Sequence, residues 1–263
     1  MNAALYLRRP MLVTGAPGSG KSSLAYGVAH ELGLGRVLRW PITSRSTLRD
    51  GLYQYDALGR LQDANLRGEA GEDIGRYIRL GPLGTAMLPT RVPRVLLIDE
   101  IDKGDTDLPN DLLDVFEEGE FAIPELERVA ERQPMVDVYT DDGTGQALTS
   151  GRVRVRAFPF IVLTSNGERD FPPAFLRRCL RLDLPQPGVE QLMRIVEAHL
   201  GPSAVQDGRE LIELFVQRQF HETLSTDQLL NAMYLLVRDR HNGALRDEQH
   251  RDDVLRTVLR RLD

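Results

Sequence analysis

Residues 15 to 22 read Gly15-Ala16-Pro17-Gly18-Ser19-Gly20-Lys21-Ser22, and no other stretch constrains the fold as much. The octet fits G-x-x-x-x-G-K-[ST], a pattern that carries weight when a strand precedes it and a helix follows. Both conditions are met: the apolar run Met11-Leu12-Val13-Thr14 comes before, and the helix-like stretch Ser22 to Leu34 comes after. Gly15, Gly18 and Gly20 let the backbone turn tightly, so that successive N–H groups converge on phosphate oxygens. The helix that follows adds its positive N-terminal end. Lys21 reaches the β- and γ-phosphates, and the Ser22 hydroxyl ligates Mg²⁺. The candidate nucleotide contacts are therefore residues 15 to 22 with Ser23 beside them. Basic residues number 33, yet lysine occurs only at Lys21 and Lys103. A compact ammonium is kept where a planar guanidinium fork would not thread the loop. The expectation is a protein that binds ATP with Mg²⁺.

A chain of 263 residues holds one large domain or two modest ones. Net charge of −6 argues against broad coating of nucleic acid, although Arg152 to Arg156 form a local basic stretch. The single cysteine, Cys179, excludes an internal disulfide, fits a reducing compartment and reads as core filling. No apolar run approaches the length of a membrane span, and residues 1 to 10 lack a signal-peptide core. These features lead to the expectation of a cytoplasmic protein without membrane partners.

Apolar bursts alternate with helix-period segments, the signature of a parallel α/β sheet. Strands are expected at Met11–Thr14, Arg36–Trp40, Arg94–Ile98, Phe158–Thr164 and Leu180–Leu184, and helices at Lys21–Leu34 and Leu108–Glu118. Residues 42 to 90 are too long for a simple connection and hold seven glycines; they read as broken helices and an inserted hairpin. Met135–Tyr139 and Arg152–Arg156 alternate cleanly around Asp141-Asp142-Gly143, which predicts a β-hairpin within 135–156 and makes Asp141-Asp142 turn chemistry rather than a metal site. Beyond Pro185-Gln186-Pro187-Gly188 the pattern turns helical, with helices expected near 189–199, 209–219, 226–240 and 247–262. Two domains follow: an α/β core over 1–186 and an all-helical module over 187–263.

The run Val95-Leu96-Leu97-Ile98-Asp99-Glu100 is apolar up to two acids. Buried parallel strands look like this, and ligands gather at their carboxyl ends. Asp99 is placed to hold Mg²⁺ and Glu100 to polarise an attacking water. Phe160 to Thr164 is a second buried strand; it runs on through Ser165 to Asn166, which is placed to orient that water or to touch the γ-phosphate.

The order GAPGSGKS, VLLIDE, IVLTSN, then Ala174-Phe175-Leu176-Arg177-Arg178-Cys179 and a helical module resembles AAA+ ATPases, most of all the MoxR-like and dynein-related branch. Arg79-Leu80-Gly81-Pro82-Leu83 is similar to the Gly-Pro segment before the acidic strand in that branch. The resemblance implies a P-loop NTPase core with a five-stranded parallel sheet of order 5-1-4-3-2, a small helical lid, and assembly into a ring, commonly hexameric. It implies Lys21, Glu100, Asn166 and Arg178 as catalytic residues, with Ser22 and Asp99 at the metal. Asn166 is then the first sensor, and Arg178 the finger that reaches a neighbouring subunit, with Arg177 as the alternative. The family's second sensor is an arginine near the start of a lid helix, but the matching stretch Leu224-Ser225-Thr226-Asp227-Gln228-Leu229 has none.

The function expected is an ATP-driven motor or chaperone-like remodeller of a protein partner; the resemblance suggests a von Willebrand factor A-domain protein. Competing classes are a P-loop small-molecule kinase, a nucleotide-binding switch in a defence-type system with little steady turnover, and a nucleic-acid remodeller. A kinase has no use for the set Glu100, Asn166 and Arg178, and alternating arginines on one strand are more often a solvated face.

Overall fold

The computed structural model describes residues 1–67, 73–219 and 224–242. The chain divides into two compact units: Met1–Thr14 with Ser22–Leu182, and Gly15–Lys21 with the residues from Asp183 onward.

In the first unit the central sheet is built from β1 (Met11–Gly15), β2 (Leu38–Pro41), β3 (Val95–Asp99), β4 (Phe160–Ser165) and β5 (Leu180–Leu184). Their spatial order is 5-1-4-3-2, the order expected for this P-loop core. β1 pairs parallel with β4, β4 with β3, and β2 with β3. Every residue of β3 and β4 is buried, which is why both read as unbroken apolar runs rather than alternating ones. The edge strand β2 alternates instead: Leu38 and Trp40 are buried while Arg39 and Pro41 are exposed. Helix α1 (Ser23–Glu31) follows the glycine loop. Helix α2 (Leu108–Glu118) ends where Gly119 turns left-handed at φ 66° and its N–H closes on Val115 O. Helix α3 (Pro173–Arg178) stands just before β5.

A second sheet of six strands lies in the same unit, in the order 53–55, 78–80, 135–139, 145–149, 152–154, 120–122. Its strands Tyr53–Tyr55 and Ile78–Leu80 pair antiparallel inside the region 42–90, amid short helices at Leu48–Leu52, Ala57–Arg67 and Pro82–Ala86. The first of these starts on a capping box, in which Thr47 and Asp50 exchange hydrogen bonds. A Cβ on Gly84 would overlap the carbonyl oxygen of Leu52, so only glycine lets the helix Pro82–Ala86 lie this close.

The pairing around residue 140 differs from expectation. Met135–Tyr139 pairs not with Arg152–Arg154 but with Gly145–Thr149, across a tight turn at 140–144. Arg152–Arg154 then pairs with Glu120–Ala122. The turn is closed by its own side chains: the Thr140 hydroxyl donates to Asp142, and Thr144 N–H donates to Thr140 Oγ1 at 3.0 Å. A second reversal at Ser150-Gly151, both at positive φ, frees the arginine strand for its other partner. Gly145–Thr149 carries little β-branched content, so its strand character is set by the neighbours it pairs with.

The second unit packs α4 (Val189–Leu200), α5 (Pro202–Gln219) and α6 (Thr226–Asn242) around Leu192, Val196, Ile212, Phe215 and Leu229. The helix expected over 247–262 lies outside the described residues. No helix among the described residues is long and apolar enough to cross a membrane.

Candidate functional site

The glycine loop belongs to the second unit together with Lys21. Gly18 and Gly20 sit at φ 74° and 88°, conformations open to glycine at little cost. A Cβ on Gly18 would stand 2.6 Å from the backbone nitrogen of Thr226, at the start of α6. The Lys21 ammonium is buried and donates to the carbonyls of Gly15 at 2.8 Å and Ala16 at 2.9 Å. The hydroxyls of Ser19 and Thr226 are buried with no hydrogen-bond partner among the described residues. Buried hydroxyls are rarely left so, and a loop hydroxyl with spare hydrogen-bonding capacity suits the oxygens of a polyphosphate. At the start of α6, Ser225 N–H donates to Gln228 Oε1 at 2.9 Å, and Gln228 N–H donates to Ser225 Oγ at 3.4 Å. That is a capping box built of neutral groups.

In the first unit the strand ends converge. Ser22 Oγ donates to Asp99 Oδ1 at 2.7 Å, across 77 residues of sequence. Thr164, at the end of β4, donates to the same oxygen at 2.7 Å and accepts the backbone N–H of Glu100 at 2.8 Å. Arg39 from β2 donates to Asp99 Oδ2 through Nη2 at 2.6 Å and Nε at 3.1 Å. Burial works against the Asp99 charge, but the two hydroxyls and the Arg39 guanidinium overcome it and hold the carboxyl below the ordinary range. A carboxylate and a serine hydroxyl so joined are hard oxygen donors of the kind Mg²⁺ selects.

Glu100 takes a left-handed backbone, φ 60° and ψ 51°, which turns its side chain out of the sheet. Its carboxylate accepts from Lys103 Nζ at 2.8 Å, and both side chains are about two-fifths exposed, at 41% and 43%. They border a cleft that also includes Thr43, Glu168 and Arg169. Asn166 is held by its backbone: its N–H and that of Glu168 both donate to Asp102 Oδ2, at 2.9 and 3.1 Å. Among the described residues its side-chain amide reaches only Glu168, at 3.4 Å. Arg178, at the end of α3, is apart from this network and pairs with Glu117 of α2. Arg177 is exposed, with no ion pair among the described residues. Cys179 is buried in the core, which pushes its thiol up to about 12.

The structure thus joins Ser22 to Asp99, and brings in Thr164, Arg39, Asp102 and Lys103, which sequence reasoning passed over. Lys103 had a signal, being one of only two lysines, and Arg39 stood out as a charge within an apolar strand. Thr164 and Asp102 had none, because each acts through a partner more than 60 residues away.

A strand, a glycine loop with a buried lysine, and a serine bound to the acid that ends β3 define a P-loop nucleoside triphosphatase fold. The chain belongs, more closely, to the AAA domain family, dynein-related subfamily, which it matches over residues 10–179. It is accordingly an AAA+ protein of the MoxR and dynein-related branch, a family of ATPases. A comparison with curated proteins finds no match.

Proposed function

We propose that this chain binds and hydrolyses ATP with Mg²⁺, and that it works as a ring-forming motor remodelling a protein partner. The hydrogen bond from Ser22 to Asp99 carries the reading, since it joins the end of the glycine loop to the acid of β3 as triphosphate chemistry requires. In this reading residues 15 to 23 hold the nucleotide. Ser22 and Asp99 would hold the metal, which when bound would supply positive charge against that building on the phosphates. Lys21 gives up its two loop carbonyls for phosphate oxygens. Glu100 takes a proton from the attacking water, Asn166 orients that water, and Arg178 serves the nucleotide of the next subunit.

The core over 1–186 is then the nucleotide-binding domain and 187–263 the lid. A partner with a von Willebrand factor A domain suits the branch, as does a cytoplasmic setting. Nucleic acid is disfavoured, because Arg152 pairs with Glu127 at 3.0 Å and Arg154 with Glu120 at 3.7 Å. A switch with little steady turnover is the second reading, favoured by the ties of Glu100 to Lys103 and of Arg178 to Glu117.

Mixing decides between them. Lys21→Ala protein should lose nucleotide affinity, and Glu100→Gln protein should keep ATP while turnover falls ~10²–10⁴-fold. Arg178→Ala protein mixed with Lys21→Ala protein should regain activity, because one interface then pairs an intact loop with an intact finger. Failure to regain it in a mixture shown to co-assemble rejects the ring mechanism. If Arg177→Ala alone is dead, the finger is Arg177.

A further inference from the structure

Asp99 has two carboxylate oxygens, and they are used differently. Oδ1 accepts two hydroxyls, from Ser22 and from Thr164, each at 2.7 Å. Thr164 is buried within β4 and cannot withdraw without breaking the strand. Among the described residues, Oδ2 accepts only the guanidinium of Arg39. The Arg39 side chain is 56% exposed and stands on an edge strand. In register Arg39 lies opposite Leu97, so Asp99, two residues further along β3, shares its sheet face. The oxygen with a replaceable donor is therefore Oδ2, and the replaceable donor is Arg39.

A hydrated divalent cation seated at Ser22 needs an acceptor on Asp99 for itself or one of its waters. Guanidinium and cation then contend for one oxygen, and their like charges repel.

We propose that Arg39 competes with the metal for Asp99, and so sets the Mg²⁺ concentration at which the site loads. This rests on reading Ser22 and Asp99 as the metal site. Arg39 is a positioning residue here: it acts through the Asp99 carboxylate. Two ligands that exclude each other from one group each weaken the other by the same factor. Removing the guanidinium must therefore strengthen the metal's hold.

The test is binding of a fluorescent, non-hydrolysable ATP analogue to the full chain, titrated with Mg²⁺. Arg39→Gln should lower the Mg²⁺ concentration for half-maximal binding by about 5- to 20-fold, the lower range of ordinary coupling between sites. Arg39→Lys keeps the charge on a shorter, more mobile reach, and should lower it less. An unchanged or raised midpoint in both variants, with Mg²⁺-dependent binding in the parent, overturns the competition and leaves the metal site standing. Binding by the parent that ignores Mg²⁺ overturns the metal site, and this inference with it.

Discussion

One hydroxyl connects the two neighbouring acids: Thr164 Oγ1 donates to Asp99 and accepts the backbone N–H of Glu100. The pair is thus fixed from the next strand rather than by its own loop. β4 supplies a single side chain that satisfies one carboxylate oxygen and one peptide nitrogen.

Replacing that hydroxyl by a methyl keeps the volume and removes both bonds. Thr164→Val should lose about 1–3 kcal/mol of stability, the cost of leaving buried partners unmade. Denaturant unfolding measures it. A loss within the scatter of surface substitutions, about 0.5 kcal/mol, would mean the peptide nitrogen finds another acceptor.

Lys103 holds the Glu100 carboxylate, but the pair is well exposed and such pairs contribute little. Lys103→Met should therefore change ATP turnover by less than about 5-fold, which corresponds to the top of the range for exposed pairs. A loss of ~10² or more, the scale of a missing acid–base group, would place Lys103 itself in the chemistry.

The turn at 140–144 predicts an acid response. Burial opposes the Asp142 charge, yet hydrogen bonds from Thr140, Arg94 and Thr144 outweigh it and hold the carboxyl well below the usual range. A depressed folded value means that the stabilisation is present above the unfolded value and disappears as pH falls through the folded one. Asp142→Asn should cost about 1.5–3 kcal/mol at pH 7, as for other hydrogen bonds to charged groups. The gap between the two proteins should begin to close below about pH 4. A gap constant down to pH 2 would assign the loss to geometry and not to charge.

The central strands and the glycine loop were readable because each leaves a local mark: an apolar run for a strand buried on both faces, and glycine where φ is positive; the order of the strands was implied by the family resemblance alone. The hairpin partner was not. Arg152–Arg154 has the stronger strand pattern, but the turn geometry at Thr140 and Thr144 selects Gly145–Thr149 first. In the site, Ser22 and Asp99 were legible as motif residues, whereas the Arg39 contact depends on strand β2 lying beside β3, which only the assembled sheet determines. Arg178 was singled out by the family resemblance, but its pairing with Glu117 brings two helices together that sequence does not relate.

The left-handed backbone of Glu100 has an evolutionary corollary. A side chain in that region costs on the order of 1–3 kcal/mol, and glycine escapes most of it. Glutamate codons lie one base change from glycine codons. Losing this side chain is thus downhill in folding energy and near at hand genetically: with Glu100 as the base proposed above, a single base change would exchange ATP turnover for a more relaxed backbone.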